Sequence, residues 1–302
     1  MPPSTPTSAG LDPTGLPAAP STALPGSPAA GGTVSLWSRV LWAPVLRRAG
    51  LRIVGVVALL VIWWVVADRT ANPVIVPSPG AVWHQLVVLS GTHDGTKGYQ
   101  GYTLIEHLGI SLRRILLGSA IGVAVGLPLG LVMGTVSWIR VILEPLITFL
   151  RALPPLAYFS LLIIWFGIDE KPKIWLLAIA AMPPVAVAAA AATAAAPIGL
   201  VEAARALGAK RRDVLLGVVL PSAVPEIATG IRIAVGIAYS SVVAAETVNG
   251  LPGIGGVVRD AQRYNQSDIV ILGIIVIGLS GLAIDIALRV VADRATPWRG
   301  RV

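Results

Sequence analysis

Three histidines, one arginine ahead of a Pro-Pro step and a polar island in mid-chain are the residues with which this sequence could do chemistry. His84, His93 and His107 show no HExxH spacing and the chain has no cysteine, so no metal-ligating pattern forms. Paired carboxylates and a nucleophile with its base are missing from the apolar segments. No GxxxxGK[ST] stretch occurs in which backbone amides and a lysine could cradle phosphates; the nearest approach, GTHDGTKGYQ at Gly91–Gln100, lacks the spacing. The chain therefore reads as non-catalytic, with no metal and no cofactor of its own. What remains is recognition chemistry. Arg151 precedes Pro154 and Pro155, and its fork of donors suits an anionic head group. EAARALGAKRRDVLLGVVLP, Glu202–Pro221, gathers Arg205, Lys210, Arg211, Arg212 and Asp213 between two long apolar segments.

The elements that position these groups follow from composition. The 302 residues are 55% hydrophobic and 13% charged, with a mean hydropathy of +0.79, too apolar for a water-facing surface. A hydrocarbon layer about 30 Å thick needs about 20 apolar residues of helix. Such runs occur at roughly Leu51–Ala67, Ile115–Thr135, Val141–Phe166, Ile174–Ala195, Ala223–Ala245 and Ile269–Val291. The ten-residue alternation of a membrane barrel is absent, so the fold class is an all-α integral membrane protein of about six transmembrane helices. Residues 1–35, rich in Pro, Ser, Ala, Gly and Thr, read as a disordered tail. No Lys or Arg precedes Arg39, so the charged start of a signal peptide is missing and the first span reads as a retained anchor.

The net charge of +8 could suggest nucleic acid, but its placement favours loop topology. With the N-terminus inside, thirteen Lys and Arg, from Arg39 to Arg301, fall on the inner side and eight, from Arg69 to Arg263, on the outer. The positive-inside rule then puts both termini in the cytoplasm and the polar island between the fourth and fifth spans, on the cytoplasmic face. No nucleic-acid partner is expected.

Local patterns refine the picture. Glu202–Leu207 favours helix, Gly208 interrupts it, and Lys210–Leu220 can form a second helix that stops before Pro221. Ala203, Ala204, Ala206 and Ala209 leave little bulk on part of it, which would let a partner's groove approach closely. Pro154 and Pro155 should kink or break the third span. Arg151 then lies about ten residues into it, a depth that costs at least about 2.5 kcal/mol unless the charge faces water or a partner. Either it lines a pathway or it binds carbonyls freed by the prolines. Glu226, Arg232 and Asp285 allow a similar choice between pathway roles and interhelical pairing. Gly118, Gly122, Gly126, Gly130 and Gly134 form a ridge almost without side chains, which reads as a helix interface with a neighbour in this chain or in a second copy. Asn249–Asp268 reads as an outer loop, and PSPGAVWHQL within Pro73–Gln100 as an interfacial helix with Trp83 at the boundary.

The spacing Glu202-Ala203-Ala204, three residues, Gly208, nine residues, Val218, one residue, Leu220-Pro221 resembles the EAA loop of permease subunits in bacterial ATP-binding-cassette importers, with Val218 where that pattern usually has Ile. The resemblance runs from about Leu51 to the C-terminus. HLGISLRRILLG (His107–Gly118), RALPPLAYFSLLIIWFGIDEKPK (Arg151–Lys173) and LPSAVPEIATGIRIAVG (Leu220–Gly236) resemble the taurine, aliphatic sulfonate and nitrate group. PPLAYFSLLIIWFG and the terminal ATPWRG, Ala295–Gly300, are most similar to taurine permeases. The resemblance implies a MetI-like permease domain over residues 36–302, working as a homodimer in the cytoplasmic membrane. It also implies an extracytoplasmic substrate-binding protein and separate ATPase subunits that hold ATP and Mg2+. It makes residues 199–221 a coupling loop built on Glu202, Ala203, Ala204, Gly208, Leu220 and Pro221, and makes Arg259, Asp260 and Arg263 contacts for the binding protein. Arg151, Pro154 and Pro155 are the pathway candidates. Transport of nitrate or another small organic anion is the alternative within the family, and a secondary transporter the alternative outside it.

Overall fold

Backbone groups in lipid must be satisfied within their own segment, and the chain is helical wherever the hydropathy demands it. The structure, a computed structural model, describes residues 34–70, 72–93, 95–249 and 252–298; the predicted tail, residues 1–35, lies outside these as far as residue 33. Two compact units, Met1–Ala58 and Leu59–Val302, divide the chain. The first is described only through the leading part of helix α1 (Val34–Thr70), which contains the first predicted span. Leu59, Ile62 and Trp64 further along it are exposed, as lipid-facing side chains are.

The second unit continues with α2 (Pro79–Ser90), started by Ser78, whose hydroxyl accepts the Ala81 amide. A short hairpin follows, β1 (Thr92–His93) paired antiparallel with β2 (Thr96–Lys97). Helix α3 (Leu104–Thr135) opens with a capping box: the Thr103 hydroxyl accepts the Glu106 amide, and the Glu106 carboxylate accepts the Thr103 amide. This cap starts the helix well before the apolar run at Ile115, so its first three turns are helical although they carry Glu106, His107, Arg113 and Arg114.

The third predicted span is broken. Helices α4 (Ser137–Ala152) and α5 (Pro155–Phe166) meet at 94°. Pro154 caps α5 and Pro155 takes its first turn, where a missing N–H costs nothing. Helices α6 (Glu170–Ala194), α9 (Leu220–Asn249) and α11 (Ser267–Ala295) are the remaining long spans. Between α6 and α9 come α7 (Ile198–Ala206), α8 (Arg211–Val214) and a π turn at Leu215–Val219; α10 (Ile254–Arg263) lies between α9 and α11.

The glycine ridge packs on α6, a neighbour within this chain. A Cβ at Gly122 would stand 2.7 Å from the Ala178 carbonyl oxygen, one at Gly126 2.6 Å from that of Met182, and one at Gly134 2.7 Å from that of Ala190. Each step of four residues along α3 advances four along α6, so the two helices run parallel. Two parallel spans cannot be joined unless the chain between them crosses back. The bent α4–α5 pair then serves as one crossing, which makes up to six candidate spans among the described residues. Helix α6 is fully buried along much of its length because alanines and prolines fill it. On its other flank Gly230 of α9 fits against Ala188. Helix α11 runs antiparallel to α9, tied by Arg232–Asp285 at 2.8 Å and by the Tyr239 hydroxyl on the Ile277 carbonyl at 2.5 Å. Arg232 and Asp285 thus take the interhelical pairing of the two readings, while Glu226 is exposed. As a result α2, the hairpin and α10 gather at one end of the bundle, and α7 and α8 at the other.

The segment read as an outer loop, Asn249–Asp268, is largely helix α10. Its apolar positions recur at helical spacing. Ile254, Val257 and Ala261 enter a core with Val82, Leu89, Leu104, Ile269 and Leu272.

Candidate functional site

Helix α7 buries no residue among those described. Its end explains the spacing of the island. Gly208 has φ +85, and its amide donates to the Arg205 carbonyl at 2.9 Å while the Ala209 amide reaches the Ala204 carbonyl at 3.1 Å. This pair of bonds is a Schellman closure, which places a glycine in the left-handed region four residues after the alanine whose carbonyl it helps to satisfy. Beyond the bend the Lys210 amide donates to the Asp213 carboxylate at 3.2 Å and starts α8. Glu202, Ala203, Arg205, Gly208, Lys210, Arg211 and Arg212 are exposed, as are the apolar Ile198, Leu200, Leu207 and Leu216.

The second half of the island departs from expectation at Pro221. The helix does not stop there but runs on through the π turn into α9. Pro221 has no N–H to give, and the wider turn just before it absorbs that loss. Pro225, four residues later, cannot donate to the Pro221 carbonyl, and the Trp298 indole N–H takes that acceptor at 3.2 Å. The segment after α11 is thereby fastened to the loop.

At the bend in the third span, Arg151 is exposed and makes no hydrogen bond or ion pair among the described residues. It does not hold the carbonyls freed by the prolines; the Leu150 carbonyl accepts the Leu153 amide at 3.3 Å instead. Of the three candidate contacts on α10, Arg259 donates to the Val248 carbonyl at 2.6 Å, Asp260 accepts from the Gln100 amide group, and Arg263 is exposed. Tyr99, packed nearby, has its phenol pushed above its ordinary value by burial and by the neighbouring Asp260 and Tyr264.

A charged node under α10, built on Arg114, Lys173 and Glu246, escaped the sequence reading. Arg114 is 1% exposed and Glu246 fully buried. Arg114 grips Glu170 with two bonds, Nε to Oε2 at 2.7 Å and Nη2 to Oε1 at 2.5 Å, and Glu246 with a third at 2.5 Å. Ser111 donates to Glu246 at 2.8 Å. His107 is fixed in one tautomer by its partners: Nε2–H faces the Tyr99 carbonyl at 3.0 Å, and Nδ1 accepts the Gly253 amide at 3.1 Å. Lys173 is also fully buried, and its ammonium has no hydrogen-bond partner among the described residues. The signal available in the sequence was an arginine and a glutamate abutting apolar spans, which are rarely left unpaired. Among the described residues no group of three His, Asp or Glu side chains could hold a metal ion.

Known proteins resemble this chain throughout the spanning region. The profile described as "Binding-protein-dependent transport system inner membrane component" matches residues 126–297. The chain is 39% identical over 266 residues to the taurine transport system permease protein TauC of Escherichia coli (strain K12), covering 87% of this chain and 95% of that protein. To the putative aliphatic sulfonates transport permease protein SsuC of the same strain it is 36% identical over 247 residues, covering 81% and 89%. A chain of the methionine ABC transporter MetNI, in an inward-facing conformation, matches with a TM-score of 0.51 at 21% identity, over 61% of this chain and 95% of that one. This last likeness is one of fold.

Proposed function

The chain belongs to the inner-membrane components of binding-protein-dependent transport systems and is a multi-pass permease subunit of the ATP-binding-cassette importer type; from that premise we propose that it carries taurine or a closely related sulfonate. It is a transport component, not an enzyme. A separate ATPase subunit docks on α7 and α8 and supplies the ATP and Mg2+ chemistry. An extracytoplasmic protein delivers the substrate to the end that bears α10, with Arg259, Asp260 and Arg263 in its footprint. A second copy of this chain completes the pathway. Both termini are cytoplasmic, a placement supported by the excess of Lys and Arg on that side.

The observation that carries the coupling role is α7 itself. A nine-residue helix that buries none of its own side chains has little to hold it in isolation. Its exposed Ile198, Leu200 and Leu207, set among Glu202, Arg205 and Lys210, supply the mixed apolar and charged surface that a partner's groove would cover. Leu220 and Pro221 close the loop and join it to α9. The exposed and unpaired Arg151, beside the break at Pro154 and Pro155, supports a place on the pathway, where its guanidinium would meet an anionic head group. Sulfonate cargo is supported by the identity to TauC and SsuC.

Growth of a deletion strain tests the cargo. Expected is loss of growth on taurine as sole sulfur source, restored by the intact gene, with growth on sulfate unaffected. Survival on taurine with failure on longer alkanesulfonates, or on nitrate as sole nitrogen source, would refute taurine and select another anion.

A further inference from the structure

The first turn of α10 is held by side chains from other elements. Its cap residue Gly253 donates its amide to His107 at 3.1 Å, Ile254 donates to the Ser111 hydroxyl at 3.1 Å, and Gly255 donates to the Glu246 carboxylate at 2.9 Å. Those three amides are among the four that a helix start leaves without intrahelical partners, and Glu246 adds a negative charge where the helix dipole favours one. The approach is close enough to require glycine. A Cβ at Gly253 would lie 2.5 Å from the Glu246 carboxylate, and one at Gly255 2.6 Å from the Val243 carbonyl oxygen. The same carboxylate accepts from Ser111 of α3 and from Arg114, whose other bonds reach Glu170 at the start of α6. One buried carboxylate at the end of α9 thus ties α10 to α3 and, through Arg114, to α6.

The apolar underside of α10 would seat it without fixing where it sits, because hydrophobic contact has no direction. A charge-assisted hydrogen bond does have direction. We infer that Glu246, backed by Ser111 and Arg114, is a positioning residue that sets α10 in register with the ends of α3, α6 and α9, so that docking of the delivering protein on α10 is passed to all three spans together. This inference rests on the reading of α10 as the docking side, and it adds the residues through which docking is felt.

The test uses the full transporter, with ATPase and binding protein, reconstituted in nanodiscs. ATP hydrolysis is titrated with substrate-loaded binding protein. Glu246→Gln keeps an oxygen for Gly255 but loses the charge, and should raise the half-saturating concentration of binding protein by about tenfold, the scale of one hydrogen bond to a charged group. Ser111→Ala, which leaves the ion pair intact, should raise it in the same direction by a smaller factor and covers the case in which Glu246→Gln fails to insert. Half-saturation unchanged in Ser111→Ala and in any Glu246→Gln that inserts, with only the maximal rate altered, overturns the inference and leaves the node a purely structural clamp. If the unaltered transporter shows no stimulation, it is the docking reading that fails. Hydrogen exchange in the purified chain then tests by itself whether the node positions α10. The Gly253 to Gly255 amides should exchange at least about tenfold faster in a variant, and equal rates would overturn it.

Discussion

Substitution at Gly208 separates backbone conformation from side-chain contact within the proposed coupling loop. A Cβ built there meets nothing within 4 Å, while φ is +85. Gly208→Ala therefore introduces no clash, and its whole effect is the cost of a side chain in the left-handed region, about 1–2 kcal/mol. Because α7 buries nothing, the undocked loop is free to relax out of the bend; the docked loop is not. The cost then appears on docking, as an affinity for the ATPase subunit weakened by about 5- to 30-fold. Gly208→Asn should fall between Ala and Gly, since Asn tolerates this conformation better. Gly199→Ala is the control: its Cβ also meets nothing, its φ is ordinary, and within a helix alanine is favoured over glycine by about 1 kcal/mol. Titration of permease in nanodiscs against purified ATPase subunit reads all three. Equal affinities for Gly, Ala and Asn at position 208, or a loss of the same size at position 199, would refute the argument that docking demands this bend.

The remaining predictions concern the bundle. Gly126→Ala and Gly130→Ala should each destabilise the detergent-solubilised chain by about 1–3 kcal/mol through overpacking, because both new methyl groups run into carbonyl oxygens of α6. Gly278→Ala, which meets nothing within 4 Å and lies inside α11, should not lower the melting temperature. Arg114→Met should cost about 3–5 kcal/mol, since it strands the buried Glu246. Lys173→Met removes a buried ammonium with no hydrogen-bond partner among the described residues and should shift the melting temperature far less. A larger loss in Lys173→Met than in Arg114→Met would show that the charge assignment within the node is wrong.

The sequence carried the spans because lipid leaves an apolar run one solution, and it carried the break in the third span because Pro154 and Pro155 remove donors wherever they fall. The bend at Gly208 was legible for a similar reason, a local backbone rule acting over a few residues. Partners distant in sequence were not legible. The glycine ridge announced close packing, but nothing local named α6 as its neighbour or said that the two helices run parallel. Pro221 was read as a stop because a proline ends most helices; the π turn before it and the indole of Trp298 after it accommodate its effects here. Arg113 and Arg114 are adjacent and chemically alike, yet one is exposed and the other buried. About 100° of helical rotation separates them, and the partner that decides which turns inward, Glu246, lies far along the chain. Helix α10 was hidden because its glycines suggested a loop, when they are there to let amides reach a carboxylate.

The node and the proposed coupling loop occupy opposite ends of the same two helices. Helix α6 begins at Glu170, one of the acids Arg114 holds, and ends at Ala194 just before α7. Helix α9 begins at Leu220, where the loop closes, and reaches Glu246 in its last turn. At 1.5 Å per residue, α6 alone spans about 36 Å from node to loop. Alanines and glycines pack α6 against α3 and α9 with backbone nearly touching backbone, so these helices have little room to slide past one another. On the proposed docking at α10, a displacement there would reach α7 through these packed helices.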